Sequence, residues 1–123
     1  MERWHELLEE AGVRQLAALP FPQARVAVFG ILSDIADNLS PQVRALLPDI
    51  GDMLHVQPTQ DLVDSLDRLC FDREDQGDLA GSDQAFSAAR FASACTYLHG
   101  ASSLADLMNA VYEARHSLQQ KSG

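Results

Sequence analysis

Between Val28 and Leu39, apolar side chains recur at Val28, Phe29, Leu32, Ile35, Ala36 and Leu39. Steps of three and four return to one face only when the backbone turns about once every 3.6 residues, so this spacing predicts a helix with one buried side. The same step governs Leu62, Val63, Leu66, Leu69 and Cys70, and later Leu104, Leu107, Met108 and Val111. Strand-like alternation is nearly absent. The run "ARVAVFGIL" reads either way, and its continuation at Ile35 and Leu39 favours helix. The fold class is therefore all-α.

Proline, glycine and capping residues divide the chain. A first helix is expected near residues 2 to 18, with Trp4, Leu7, Leu8 and Ala11 on one face, weakened at Gly12 and ended by the prolines of "LPFPQ". A second starts near Pro22. Ser40-Pro41 pairs a capping hydroxyl with a first-turn proline and opens a third. Pro48 must break that helix, and "PDIGDMLHV" resumes at an angle. Thr59 caps a helix running to Phe71, and an acidic connector follows over residues 72 to 83. Ser82 or Asp83 then caps "DQAFSAARFASACTYLHG". Its small residues lie on several faces, with Phe86, Phe91, Cys95 and Leu98 among them, which places it centrally. Gly100 ends it, Ser102 or Ser103 opens the last helix, and residues 119 to 123 are expected to fray. A chain of 123 residues, 46% of them apolar, holds one domain with one core. The expected architecture is a single-domain bundle of about five to six short helices over residues 1 to 123.

Charge narrows the function. The chain carries 18 acids and 9 bases, a net of −9. Residues 34 to 83 hold twelve of the acids and three of the bases, so this segment contains all of the excess. Such a surface repels nucleic acid and anionic lipid and speeds encounter with a basic protein. No apolar run is long enough to span a membrane, and "MERWHELLEE" lacks the basic start and apolar stretch of a secretory signal, so a cytoplasmic location is expected. Cys70 and Cys95, the two cysteines, read as buried thiols.

Three patterns bear on chemistry. From Asp72, acidic or amide side chains stand at Asp72, Glu74 and Gln76, with Gly77 sixth, Asp78 seventh, Leu79 eighth and Asp83 twelfth, close to the outline of a calcium loop. Glu74 and Gln76 are longer than the usual ligands, Asp83 is a methylene short, and Gly81 would loosen the helix that follows. A solvated connector is the better account. Second, Asp34 and Asp37, Asp49 and Asp52, Asp61 and Asp64, and Asp64 and Asp67 are spaced three apart. Helical enzymes acting on magnesium-bound phosphates use such pairs, which keeps a magnesium-dependent nucleotide pyrophosphohydrolase open as an alternative. The segment has almost no bases for phosphate, and Asp61, Asp64, Arg68 and Asp72 fall opposite the apolar stripe, with Arg68 able to pair with Asp64 and Asp72. A single-loop calcium-binding adaptor is the other alternative. Third, Cys95 and His99 lie four apart and can touch on a helix, but Cys95 falls on the predicted buried side, where a thiol is inert. His5, His55, His99 and His116 have no second ligand at metal spacing, and Trp4, Tyr97 and Tyr112 are candidate interface anchors.

In length, helix content and acidic middle, the last carried by Asp61, Asp64, Asp72, Glu74, Asp75 and Asp78, the chain resembles small, acidic, all-helical bacterial immunity proteins. The resemblance implies a cytosolic, non-enzymatic, stoichiometric inhibitor of a toxin domain, with acidic side chains occupying the toxin's basic groove. The expected partner is thus a basic protein, not nucleic acid or membrane, and no cofactor is called for; a homo-oligomer stays open. The residues expected to bind it are Asp61, Asp64, Arg68, Asp72, Glu74, Asp75 and Asp78.

Overall fold

A computed structural model describes Leu16 and residues 18 to 117. Within residues 18 to 117 six helices follow one another: α1 (Phe21–Asp37), α2 (Pro41–Arg44), α3 (Ile50–His55), α4 (Gln60–Asp75), α5 (Leu79–His99) and α6 (Leu104–His116). No strand occurs among the described residues. The expected first helix and the terminal tail, residues 119 to 123, lie essentially outside the described residues.

The local signals act as their chemistry requires. Pro22 sits in the first turn of α1, where its missing N–H has no helical partner to lose. The hydroxyl of Ser40 accepts from Val43 N, that of Thr59 from Leu62 N and that of Ser103 from Asp106 N. Asp49 caps α3 by accepting from Asp52 N. The helix begun at Pro41 ends at Arg44, before Pro48. Leu46 and Leu47 bond to the carbonyls three residues back, tightening the chain into a turn ahead of the proline ring.

α5 is the axle of the fold. It packs against all five other helices, with α4 and α6 its most extensive neighbours and α1 spanning both α5 and α6. Its small residues permit this. Ala85, Ala88, Ala89, Ala92 and Ala94 are wholly buried, so neighbouring backbones approach closely, while Phe91, Cys95 and Leu98 fill the gaps. The stripe of α1 (Val28, Ile31, Leu32, Ile35, Ala36) joins the same core, as do Val63 and Leu66 of α4 and Leu107, Ala110, Val111 and Ala114 of α6. Phe86, on the same helix as Phe91, stands 40% exposed.

The acidic connector expected over residues 72 to 83 is corrected. α4 continues to Asp75 and α5 begins at Leu79, leaving only Gln76, Gly77 and Asp78 outside helix. Gly77 has φ +81°, the left-handed conformation that closes a helix and that glycine adopts without strain. The cap of α5 is Asp78, whose Oδ1 accepts from Gly81 N at 2.9 Å, rather than Ser82 or Asp83. Gly81 does not loosen the helix; it admits this cap. A Cβ there would stand 2.2 Å from Asp78 Oδ2 and 2.9 Å from Arg73 Cδ. Gly81→Ala gains about 1 kcal/mol of helix propensity. It loses about 1 kcal/mol of cap and a similar amount from the displaced Arg73. A net destabilisation of about 1 kcal/mol is expected in urea unfolding; a stabilised variant would show that the Asp78 cap contributes nothing.

Candidate functional site

The calcium-loop outline is not realised. Asp72 and Glu74 belong to α4, Gln76 and Asp78 to the turn and Asp83 to α5, and Asp78 already serves as the cap. Ligands on two separate helices cannot wrap one ion as a continuous loop does. The aspartate pairs have separate surroundings. Asp37 lies 3.9 Å from Arg44, Asp49 caps α3, Asp64 accepts from Gln60 Nε2 at 3.2 Å and Asp67 faces Arg90. Among the described residues, no three His, Cys, Asp or Glu side chains gather around a common point where a metal ion would fit.

Cys95 and His99, which their spacing would let touch, have separate surroundings. Cys95 is fully buried, and desolvation pushes its thiol from 9.0 up to about 12. The imidazole of His99 turns instead to Met53 O, 3.0 Å from Nε2. Because the folded thiol holds its proton more tightly than the unfolded one, its contribution to stability is complete below pH 9.0 and declines as pH rises towards about 12. Thermal melts should therefore weaken across that alkaline window, and Cys95→Ala should flatten this component. Cys70 is half-buried, with Sγ 3.2 Å from Ser82 Oγ.

What the fold does bring together is a surface on α4 and the turn after it. Asp61, Asp64, Arg68, Asp72 and Asp75 recur at steps of three and four, all exposed, on the face opposite Val63 and Leu66. Glu74 and Asp78 extend the negative surface at the end of the helix, and both are exposed. All seven residues singled out from sequence therefore stand at the surface. The pairing open to Arg68 with Asp64 and Asp72 does not form; among the described residues Arg68 makes no ion pair. Asp61, Asp72, Glu74 and Asp75 have no side-chain partner within the described fold.

Three apolar side chains missed by the sequence reading share this region. Phe71 is 64% exposed, Leu79 65% and Phe86 40%. Phe71 lies one turn beyond Asp67 on α4, and Phe86 one turn before Arg90 on α5. The Asp67–Arg90 pair, at 3.2 Å, brings these two flanks to the same side of the helical hairpin. The guanidinium of Arg90 covers the Phe86 ring at 5.5 Å. For Phe71 a signal existed, since on a helical wheel it falls towards the polar side of α4; for Leu79 and Phe86 the outcome depended on where α5 begins. Among the residues suggested as interface anchors, Tyr97 and Tyr112 are 39% and 56% exposed, and Tyr112 stacks edge-on against His116. Trp4 lies outside the described residues.

The arginines explain why the surface is so negative. Arg25 reaches Leu98 O, Arg44 reaches Ala36 O, Arg73 reaches Gly81 O, and Arg90 joins Asp67 to Glu113. Four guanidinium groups are thus turned towards the fold's own carbonyls and carboxylates, while most acids of α4 point to solvent.

The fold and surface define a single-domain all-α bundle with an acidic, aromatic-bearing ridge. No protein-family model, curated protein or solved structure matches the chain. Among the described residues no helix is long and apolar enough to cross a membrane.

Proposed function

We propose that this is a non-enzymatic binding protein that docks a basic protein along α4 and the turn following it. The partner we propose is a toxin domain, neutralised in stoichiometric complex by occupation of its basic groove. One observation carries the reading: Phe71 and Leu79 stand about two-thirds exposed near Asp72, Glu74 and Asp75, carboxylates with no side-chain partner among the described residues. Large apolar side chains within a charged rim supply desolvation energy at the centre of an interface. Carboxylates around them raise the association rate and exclude acidic competitors.

The test is a pull-down with the product of the neighbouring gene, followed by association and dissociation kinetics at several salt concentrations. Association should slow steeply with salt while dissociation changes little. The double charge reversal Asp64→Lys and Asp72→Lys should leave the melting temperature within about 2 °C, since exposed substitutions away from special contacts cost little. It should slow association about tenfold, because the long-range attraction is local to this ridge. Phe71→Ala should instead speed dissociation. Salt-insensitive binding, unaffected by all three substitutions, would move the interface to another face.

A further inference from the structure

At the far end of α5, about 30 Å along its axis from the acidic turn, lies a cleft of different character. It has a volume of about 560 Å³ and runs between the first turns of α1, the end of α3 and the end of α5. Phe21, Val26 and Phe29 of α1 face Leu54 and Leu98 across it. Its polar side chains are Arg25, His55 and His99, and among the described residues no acid lines it.

The guanidinium of Arg25 is held in place. Its Nε and Nη2 both donate to Leu98 O, each at 3.3 Å. A guanidinium has five N–H groups, so Nη1 keeps both of its donors for another acceptor. His99 is fixed as well: Met53 O can only accept, so Nε2 carries the hydrogen between them and Nδ1 remains for other contacts. The ring of His55 leans on Phe29 at 5.4 Å between centroids. Val26 is 72% exposed on the same helix face as the cleft's apolar wall, an apolar surface with no cover among the described residues. Clefts of this size, largely apolar with a few fixed polar groups, suit small molecules rather than extended chains.

We propose that the cleft binds a small amphipathic carboxylate, an aryl- or short-chain acyl acid. Its apolar body lies against Phe21, Val26 and Phe29, and its carboxylate accepts from Arg25 Nη1. Because two hydrogen bonds already restrain the guanidinium, little side-chain entropy remains to be lost on binding. Charge-assisted hydrogen bonds of this kind distinguish an anion from its neutral analogue by about tenfold or more.

The experiment titrates phenylbutyrate, and separately its neutral analogue phenylbutanol, into the full chain while following backbone amide NMR shifts. Phenylbutyrate should shift amides of residues 21 to 29, 54, 55, 98 and 99 and bind about tenfold more tightly than the alcohol. Val26→Asp places a negative charge at the wall and should weaken the acid's binding about tenfold, while Val26→Lys should strengthen it or leave it unchanged. Val26 is exposed, so neither substitution should alter the melting temperature materially. Equal affinity for acid and alcohol, shifts elsewhere on the molecule, or indifference to the sign of the charge at position 26 would overturn the proposal. So would binding of a glutamate-rich peptide at these residues without any binding of phenylbutyrate.

Discussion

Leu66→Asp is expected to leave the chain unfolded at room temperature. Leu66 is 4% exposed and sits with Val63 on the face of α4 that packs against α5. Removing the leucine forfeits about 2 to 3 kcal/mol of apolar burial. The new carboxyl must then be buried either charged or protonated, at a cost of several kcal/mol more without a partner. No arginine of its own helix answers it. Arg68 projects from the opposite face, and Arg73 is bound to Gly81 O. The total approaches the whole stability of a domain this size, about 5 to 15 kcal/mol. Far-ultraviolet circular dichroism should lose most of its helical signal. Leu79→Asp is the control: at 65% exposure the same change should leave a normal melting curve. A Leu66→Asp protein that melts like the parent would mean α4 packs with a different face inward.

Arg90→Met is expected to lower stability by about 2 to 3 kcal/mol, or roughly 10 °C in melting temperature. Arg90 extends from the central helix and forks, one Nη to Asp67 on α4 and the other to Glu113 on α6. Its side chain is 19% exposed and that of Glu113 16%, so removing the cation strands a nearly buried carboxylate. Asp67, at 40%, retains access to water, which keeps the expected loss below that of a fully buried triad. Nε of Arg90 is buried without an acceptor, which shows that the geometry favours the fork at the expense of one donor. Methionine keeps the apolar stem while removing the guanidinium, including its contact over Phe86. Lysine at this position should recover only part of the loss, because one ammonium cannot reach two carboxylates in opposite directions. Replacing Asp67 and Glu113 by apolar residues together with Arg90→Met should restore most of the stability, since the penalty lies in the stranded charges. A loss below about 0.5 kcal/mol for Arg90→Met alone would reduce the triad to a surface contact.

These two substitutions separate layers of information. Leu66 was legible at once, because its spacing with Leu62, Val63 and Leu69 defines a helical face without reference to any other element. The Arg90 triad was not: Asp67 and Glu113 each stand 23 residues from Arg90, and no local rule pairs them. The same division runs through the candidate surface. The exposed row Asp61, Asp64, Arg68, Asp72 and Asp75 follows from being opposite the apolar stripe. Phe71 could have been placed outside from the wheel of α4, whereas the exposure of Leu79 and Phe86 followed only from where α5 begins and how it packs on α4.

The chain's own letters determined the helices and most of their starts, because apolar period and capping hydroxyls act within four residues: Ser40, Thr59 and Ser103 each close onto the backbone three residues on. They determined the acidic middle as well. Tertiary structure alone decided that α4 carries on to Asp75, where propensity and charge suggested a loop. Cys70 meets Ser82, and Arg73 reaches Gly81 across the hairpin, so the last turn of α4 is held by α5 rather than by its own sequence. It decided, too, that four arginines turn inward while most carboxylates of α4 face water. Such contacts join residues on different helices, and their geometry exists only once the helices have packed.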